Sequence, residues 1–251
     1  LILIMKIDII TATYNREDTI ERALTSIKKQ TYQNIQNIII DGASTDNTIN
    51  LVNSLINQND ILISEPDSGT YDALNKGIQI SKGDVIAFLH SDDFYNDKNV
   101  VSRVMNFFLN NEIDIVYGDV SYFKKNKIEK SVRTYRSDPL SKKNLARGKM
   151  PAHPAMFIKR EVYEKVGLFN TSYTIAGDYE FLCRLIMNYE VKTKYLPEVL
   201  VKMQIGGRST QGIKSKYILN KETYRAIKSN GIQTNIFLFL SKYFSKIRQL
   251  L

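Results

Sequence analysis

The sequence predicts an α/β fold: a mostly parallel, Rossmann-like sheet flanked by helices, with further helices at the C-terminal end. Three observations carry this. Over residues 1–120, short Ile- and Val-rich runs alternate with segments of helical periodicity. The runs are continuously apolar rather than alternating, as in strands covered on both faces and therefore parallel. Polar, turn-prone residues follow four of them, where doubly wound sheets bind ligands.

Taken in order, Ile7–Thr11 reads as a strand, and Thr19–Gln30 as a helix with Ile20, Ala23, Leu24 and Ile27 on one face. Ile38–Ile40 is a buried strand and Asn47–Ile56 a helix. Ile61–Ile63 is a third strand and Tyr71–Ile80 a helix. Val85–Leu89 is a fourth strand, followed by a helix over about 98–110, and Ile113–Val120 is a fifth strand. The rhythm then changes. Tyr122–Tyr135 reads as a basic hairpin turning at Lys124–Lys127, and 137–152 as loop with a short helix. Ala155–Ile158 reads as a strand, Arg160–Val166 as a short helix stopped by Gly167, and Asp178–Asn188 as a helix. Tyr195–Met203 is extended, Gly206 to Ser209 is a loop, and 214–230 and 235–250 are helices.

The chain has 251 residues and a net charge of +9, with 43% hydrophobic residues, values of a soluble globular protein. The charge is uneven: residues 1–120 carry 9 basic and 17 acidic side chains, residues 121–251 carry 26 and 9. An acidic half suits a cation, and a basic half suits phosphate, anionic lipid or nucleic acid. Cys183 is the single cysteine, which excludes a disulfide framework and a cysteine-based zinc site and fits a reducing compartment, taken as the cytoplasm. No apolar run approaches the ~20 residues that span a bilayer.

The strand ends hold the candidate chemistry. Asp92 and Asp93 directly follow an apolar strand. Adjacent carboxylates there suit a hard divalent cation shared with a diphosphate, and equally suit a capped turn. Asp41, before Gly42, Ala43 and Ser44, can accept hydrogen bonds from a nucleobase or ribose, or can simply open a turn toward a helix capped by Asp46. Asn15, with Asp18 three residues on, resembles a capping box. Asp178 and Glu180 open a helix after Gly177, where a carboxylate either caps the helix or serves as a general base. His153 lies between Pro151 and Pro154 in a stiffened loop, and His90 stands beside the acidic pair. Nucleophile elbows, dinucleotide fingerprints and Walker loops are absent, which disfavours hydrolases, dinucleotide enzymes and ATPases.

Six blocks in order resemble glycosyltransferase family 2, enzymes of the GT-A fold: Ile10 to Asn15, Asp41 to Asp46, Asp67 to Gly77, Gly83 to Asp93, His153 to Phe157, and Gly177 to Glu180. The resemblance covers roughly 6–210, so 5–210 is expected to be the transferase domain and 211–251 a helical appendage. It implies that Thr11, Thr13, Asn15, Asp41 and Ser44 contact the nucleotide, that Asp67, Gly69, Asn75, His153 and Glu180 also line the substrate site, and that Gly207 and Ser209 lie on a segment closing over the donor. Asp92 and Asp93 would hold Mg2+ or Mn2+, and Asp178 would be the catalytic base with Glu180 as runner-up. Three departures stand out: His90 where the metal motif often begins with Asp, Gly177 where Glu often precedes the base, and Leu74 where Arg often precedes Asn75.

The implied reaction is inverting, metal-dependent transfer from a nucleotide-diphosphate sugar, taken as UDP-sugar, to a hydroxyl of a glycan or lipid-linked acceptor in cell-surface polysaccharide biosynthesis. With no Trp and no membrane span, transfer is expected to be non-processive. The helix at 235–251 carries Ile236, Leu240, Tyr243 and Phe244 on one face, which suits either a membrane surface at the cytoplasmic side or packing against the domain. Nucleic acid is not an expected partner, because the basic residues form no known binding module. The competing readings are a nucleotide-sugar pyrophosphorylase, whose Gly-rich opening loop is missing here, and a basic nucleic-acid-binding protein.

Overall fold

The computed structural model describes residues 5–206 and 212–247. Strands β1 (Ile7–Thr13), β2 (Ile35–Asp41), β3 (Ile61–Ser64) and β4 (Val85–Phe88) are separated by helices α1 (Ile20–Lys28), α2 (Thr48–Leu55) and α3 (Thr70–Ile80). They lie side by side as β3-β2-β1-β4, all parallel. All four strand ends therefore share one rim, as the apolar runs require.

A two-residue strand β5 (Phe94–Tyr95), unforeseen in the sequence, precedes α4 (Val100–Asn110). The basic hairpin is β6 (Ile115–Lys124) and β7 (Lys127–Tyr135), with Lys124 opposite Lys127. After the short α5 (Lys142–Leu145) and a 3-10 turn at His153–Ala155 come β8 (Met156–Lys159), α6 (Arg160–Val166), α7 (Gly177–Asn188) and β9 (Thr193–Gln204). Helices α8 (Gly212–Ser229) and α9 (Ile236–Ile247) follow.

The full sheet runs β3-β2-β1-β4-β8-β6-β9-β5, with β7 on β6. It is mixed rather than uniformly parallel, since β8 enters antiparallel to both β4 and β6. That reversal positions the site. Because Phe157 pairs with Ala87, the turn just before β8 sits at the carboxyl end of β4 and brings His153 beside Phe88. Likewise β9 pairs antiparallel with β5, Phe94 opposite Lys202, which sets the end of β9 next to Asp93.

Side chains alternate between two cores. Ile7 and Ile9 of β1 face the layer of α1, α2 and α4, while Ile10 faces α3, α6 and α7. Burying such fully enclosed aliphatics contributes about 1.5–3 kcal/mol each. Ala226 and Ile227 of α8 and Phe239 of α9 join the second core at 0%, 0% and 3% exposure. The described part of 211–251, which the sequence suggests is a helical appendage, therefore packs on the same core as α3, α6 and α7.

Candidate active site

The rim is built from loops that lock one another. At the end of β1, the backbone N–H of Asn15 donates to Ser44 Oγ (2.8 Å), and Asn15 Oδ1 accepts from the Thr45 N–H (2.9 Å). Glu17 N–H donates to Asp46 Oδ2 (3.1 Å), and Asn47 N–H returns to Glu17 Oε2 (2.9 Å). Asn15 therefore bridges two loops instead of capping α1, whose N-cap is Thr19. Asn15 (φ 49°) and Ala43 (φ 62°) are left-handed, the two such non-glycine residues among those described, and both lie here. Backbone held in that region is over-determined by its surroundings.

Asp41 does not present a free carboxylate. It is fully buried, and its oxygens accept from the Ser44 N–H (2.8 Å), the Ser44 hydroxyl and the Ser64 hydroxyl (2.7 Å). It ties the ends of β2 and β3 together at the rim. Thr11 is likewise enclosed at 0% exposure inside β1, and Thr13 lies at the strand end at 5%, so neither hydroxyl faces open solvent. In front of them, a Cβ on Gly42 would come within 2.6 Å of Asp67 Oδ2 and 3.4 Å of the Tyr14 ring. Asp67 accepts from the Gly69 N–H (2.8 Å), and Gly69 (φ 124°) turns the chain into α3. Tyr14 is 55% exposed, an aromatic plate standing free at the rim. Tyr14 falls within the first motif block, and an aromatic residue directly after an apolar strand is the trace it leaves in the sequence.

The acidic pair divides its labour. Asp92 is partly exposed and walls a hollow of about 360 Å³ together with Asn15, Arg16, Lys125, Gln204 and Gly206. Asp93 is 2% exposed. Its Oδ1 accepts from the Gln204 N–H (3.3 Å), and its Oδ2 has no partner. Burial, with the Asp92 charge beside it, pushes the Asp93 carboxyl well above the carboxylate range, against the pull of Gln204 and Arg22. Arg22, unremarked in the sequence, clamps this corner. Its guanidinium donates to the Asp92 carbonyl (2.8 Å) and Gln204 Oε1 (3.0 Å), between the rings of Phe94 and Phe123.

On the other side of the acidic pair stands Asp178, at the start of α7. Its side chain keeps 21% exposure. Oδ1 receives the Tyr179 N–H (2.9 Å) and lies 3.0 Å from the Tyr71 hydroxyl; Oδ2 lies 4.0 Å from His153 Nδ1. Burial raises the carboxyl, while the Tyr179 and Tyr71 hydrogen bonds and then His90 pull it down. His90 links the two acidic groups. Burial lowers its pKa, and both Asp92 and Asp178 lie close enough to oppose that shift. His153 stacks on Phe88 (5.1 Å between ring centres), and burial holds it neutral with a pKa down at about 3. Its Nε2 is unpartnered.

Two expected residues are drawn away. Asn75 has both ends of its amide taken by Phe169, donating to the carbonyl (2.8 Å) and accepting from the N–H (2.9 Å). Glu180 is paired with Arg184 (3.1 Å) at 5% exposure. Two residues apart on a helix point to different faces, and Asp178 takes the cleft. Gly207 and Ser209 lie outside the described residues. Among the described residues, no three His, Cys, Asp or Glu side chains gather to hold a metal ion unaided.

The family profile described as "Glycosyl transferase family 2" matches residues 8–167, and the chain belongs to that family. It is 27% identical over 215 residues to a PGL/p-HBAD biosynthesis glycosyltransferase of Mycobacterium tuberculosis, covering 84% of this chain and 81% of that protein. It is 27% identical to an uncharacterized glycosyltransferase of Haemophilus influenzae, over 93% of each. Among solved structures, it resembles S. aureus TarS residues 1–349 in complex with UDP-GlcNAc (TM-score 0.68, 18% identity, 96% of this chain and 73% of that one). It also resembles mannosyltransferase PcManGT of Pyrobaculum calidifontis in complex with GDP-Man and Mn2+ (TM-score 0.62, 16% identity, 98% and 81%). The chain spans 41% of the length of the longer TarS structure. It is a glycosyltransferase, and the pyrophosphorylase alternative falls.

Proposed function

We propose that the chain transfers one sugar per encounter, with inversion, from a UDP-sugar to a hydroxyl of a glycan or lipid-linked acceptor in cell-surface polysaccharide biosynthesis. The observation that carries this is that His90, at the end of β4, lies within electrostatic reach of both Asp92 and Asp178, the latter 4.0 Å from His153. One carboxylate belongs to the donor end, the other to the acceptor end. The UDP-GlcNAc in the TarS structure supports the donor class, and the mycobacterial relative is named for PGL/p-HBAD biosynthesis.

The residues present fit a divalent cation. Asp92 offers hard oxygen donors to the hollow, and Asp93 Oδ2 is buried with no hydrogen-bond partner. Asp92, backed by Asp93, would hold Mg2+ or Mn2+, which when bound supplies Lewis-acid stabilisation of the leaving diphosphate. Arg16 and Lys125 line the same hollow beside Glu17, Asp18 and Asp46, with Lys125 paired to Asp18 (2.7 Å). Tyr14 offers a stacking face to the base, and Asp67 and Ser44 stand beside it. Gly207 and Ser209 belong to the segment proposed to cover the donor.

Asp178 takes the proton of the acceptor hydroxyl as its oxygen bonds to the anomeric carbon and the diphosphate oxygen departs. A positioned base contributes about 10²–10⁴-fold. His153, kept neutral, offers Nε2 to a sugar hydroxyl. Among the described residues no helix is long and apolar enough to cross a membrane. The exposed Ile213, Tyr217, Ile236, Phe237 and Leu240 on α8 and α9 support a setting at the cytoplasmic face of a membrane. Liposome flotation of the full chain against a truncation at Gln233 tests that setting; equal flotation rejects it. For the donor, a thermal-shift screen of UDP-, GDP- and dTDP-sugars with and without Mn2+ should show the largest Mn2+-dependent rise with a UDP-sugar. A larger rise with GDP- or dTDP-sugars rejects the donor class.

A further inference from the structure

The segment leading into Asp178 is held from outside. Residues 174–176 form the approach to α7, and their three consecutive backbone N–H groups all point at one side chain. Glu222 of α8 accepts from Thr174 (2.8 Å, Oε1), Ile175 (2.8 Å, Oε2) and Ala176 (2.9 Å, Oε2). Glu222 is 8% exposed and is the one acidic residue in α8, between Leu219 and Ala226 on the helix's inner face. A buried carboxylate is retained only where hydrogen bonds compensate its lost hydration, and three charge-assisted bonds do so here. The same segment is gripped from the opposite side by α3. The Tyr71 hydroxyl lies 2.7 Å from the Ile175 carbonyl and 3.0 Å from Asp178 Oδ1. Tyr71 reaches this point because Gly177 has no side chain; a Cβ there would fall 2.8–2.9 Å from the Tyr71 ring. The Gly177 departure noted in the sequence thus has a use: it admits the ring.

We propose that Glu222 and Tyr71 are positioning residues for Asp178, which makes α8 part of the catalytic machinery although the family profile ends at residue 167. Glu222 fixes the backbone of 174–176 and hence the origin of α7. Tyr71 occupies Oδ1, leaving Oδ2 as the oxygen that faces the acceptor proton. The groups facing Asp178 are then complete from every packed element: Tyr71 from α3, His90 from the end of β4, His153 from the 3-10 turn, and the Tyr179 N–H from α7 itself. This inference rests on Asp178 being the base.

The test compares Glu222→Gln, Glu222→Asp and Tyr71→Phe, each alone and combined with Asp178→Asn, in the full chain. Each substitution alone should lower kcat about 10–100-fold, the scale of a base misplaced by an ångström or less, with KM for the donor within about twofold. Tyr71→Phe should also move the acid limb of the kcat–pH profile upward, because a hydrogen bond that favours the ionised carboxylate is lost. With Asp178→Asn present, neither Glu222→Gln nor Tyr71→Phe should reduce the residual turnover further. Circular dichroism and thermal melts establish which variants are folded; should Glu222→Gln not fold, Glu222→Asp and Tyr71→Phe carry the test. Folded variants with wild-type kcat, or equal losses with and without Asp178→Asn, overturn the proposal. Retention of full activity by Asp178→Asn would instead overturn the base assignment itself.

Discussion

The donor rim and the seat of the base are built on opposite plans. The rim is assembled from turns at the ends of neighbouring parallel strands, and its hydrogen bonds join loops about 30 residues apart, such as Asn15 to Ser44 and Thr45. The seat is assembled from distant pieces: Tyr71 meets Asp178 across 107 residues, and Glu222 meets Ala176 across 46. The rim is tied down before any ligand arrives, whereas the base depends on three separate helices keeping register. Rim substitutions should therefore act on donor binding, and seat substitutions on turnover.

The largest rim effect belongs to the acidic pair. Asp92→Asn should reduce Mn2+-dependent turnover at limiting Mn2+ at least about 100-fold, because it removes the carboxylate open to the hollow. Full activity for this variant would separate the hollow from the chemistry. Next, on the seat, Gly177→Ala should lower kcat about tenfold, since its methyl group would lie 2.8–2.9 Å from the Tyr71 ring and one of the two must move. Unchanged kcat would show that the ring contact is dispensable.

His153 gives a pH signature. Burial keeps it neutral in the native protein down to about 3, while the unfolded chain titrates near 6.5. The unfolded state takes up the proton first, so stability is intact above about 6.5 and falls as pH drops toward 3. His153→Phe, which retains a ring against Phe88, should shrink the loss of Tm between about pH 6.5 and 4. An identical loss in the variant would mean that other groups govern the acid limb. The smallest effect is expected at Ala43. Replacing it with Gly removes a left-handed Cβ penalty at some cost in unfolded-state entropy, for a gain of about 1 kcal/mol or less by denaturant titration. A clear loss would mean that the Ala43 methyl packs favourably.

The same contrast explains what was legible in the sequence. The four-strand core was readable, and so was the placement of Asp67, Gly69, the acidic pair and Asp178 at strand ends or helix starts, because each follows an apolar run or opens a helix within a few residues of its own signal. The protein partners of Asp41 and Asn75 were not legible, because a short polar side chain at a strand end or helix face looks the same whether it meets a ligand or a neighbouring backbone. Glu180 pairs with Arg184 one helical turn on, a spacing the sequence does show. β8 was visible as a strand but not as an antiparallel one, since direction comes from pairing and not from composition. Arg22, Tyr71 and Glu222 act only through contacts that the chain makes once folded. Glu222 left one trace, an acidic side chain on the inner face of an otherwise basic helix.

The account turns on Asp178 facing the acceptor from across His90 while the acidic pair grips the donor. Calorimetric titration of a UDP-sugar with Mn2+ into Asp178→Asn, run beside turnover on the same preparation, tests this most directly. Donor affinity should stay within a few-fold of wild type while turnover falls about 10²–10⁴-fold. Lost donor affinity with turnover preserved at saturation would place Asp178 on the donor side and contradict the account.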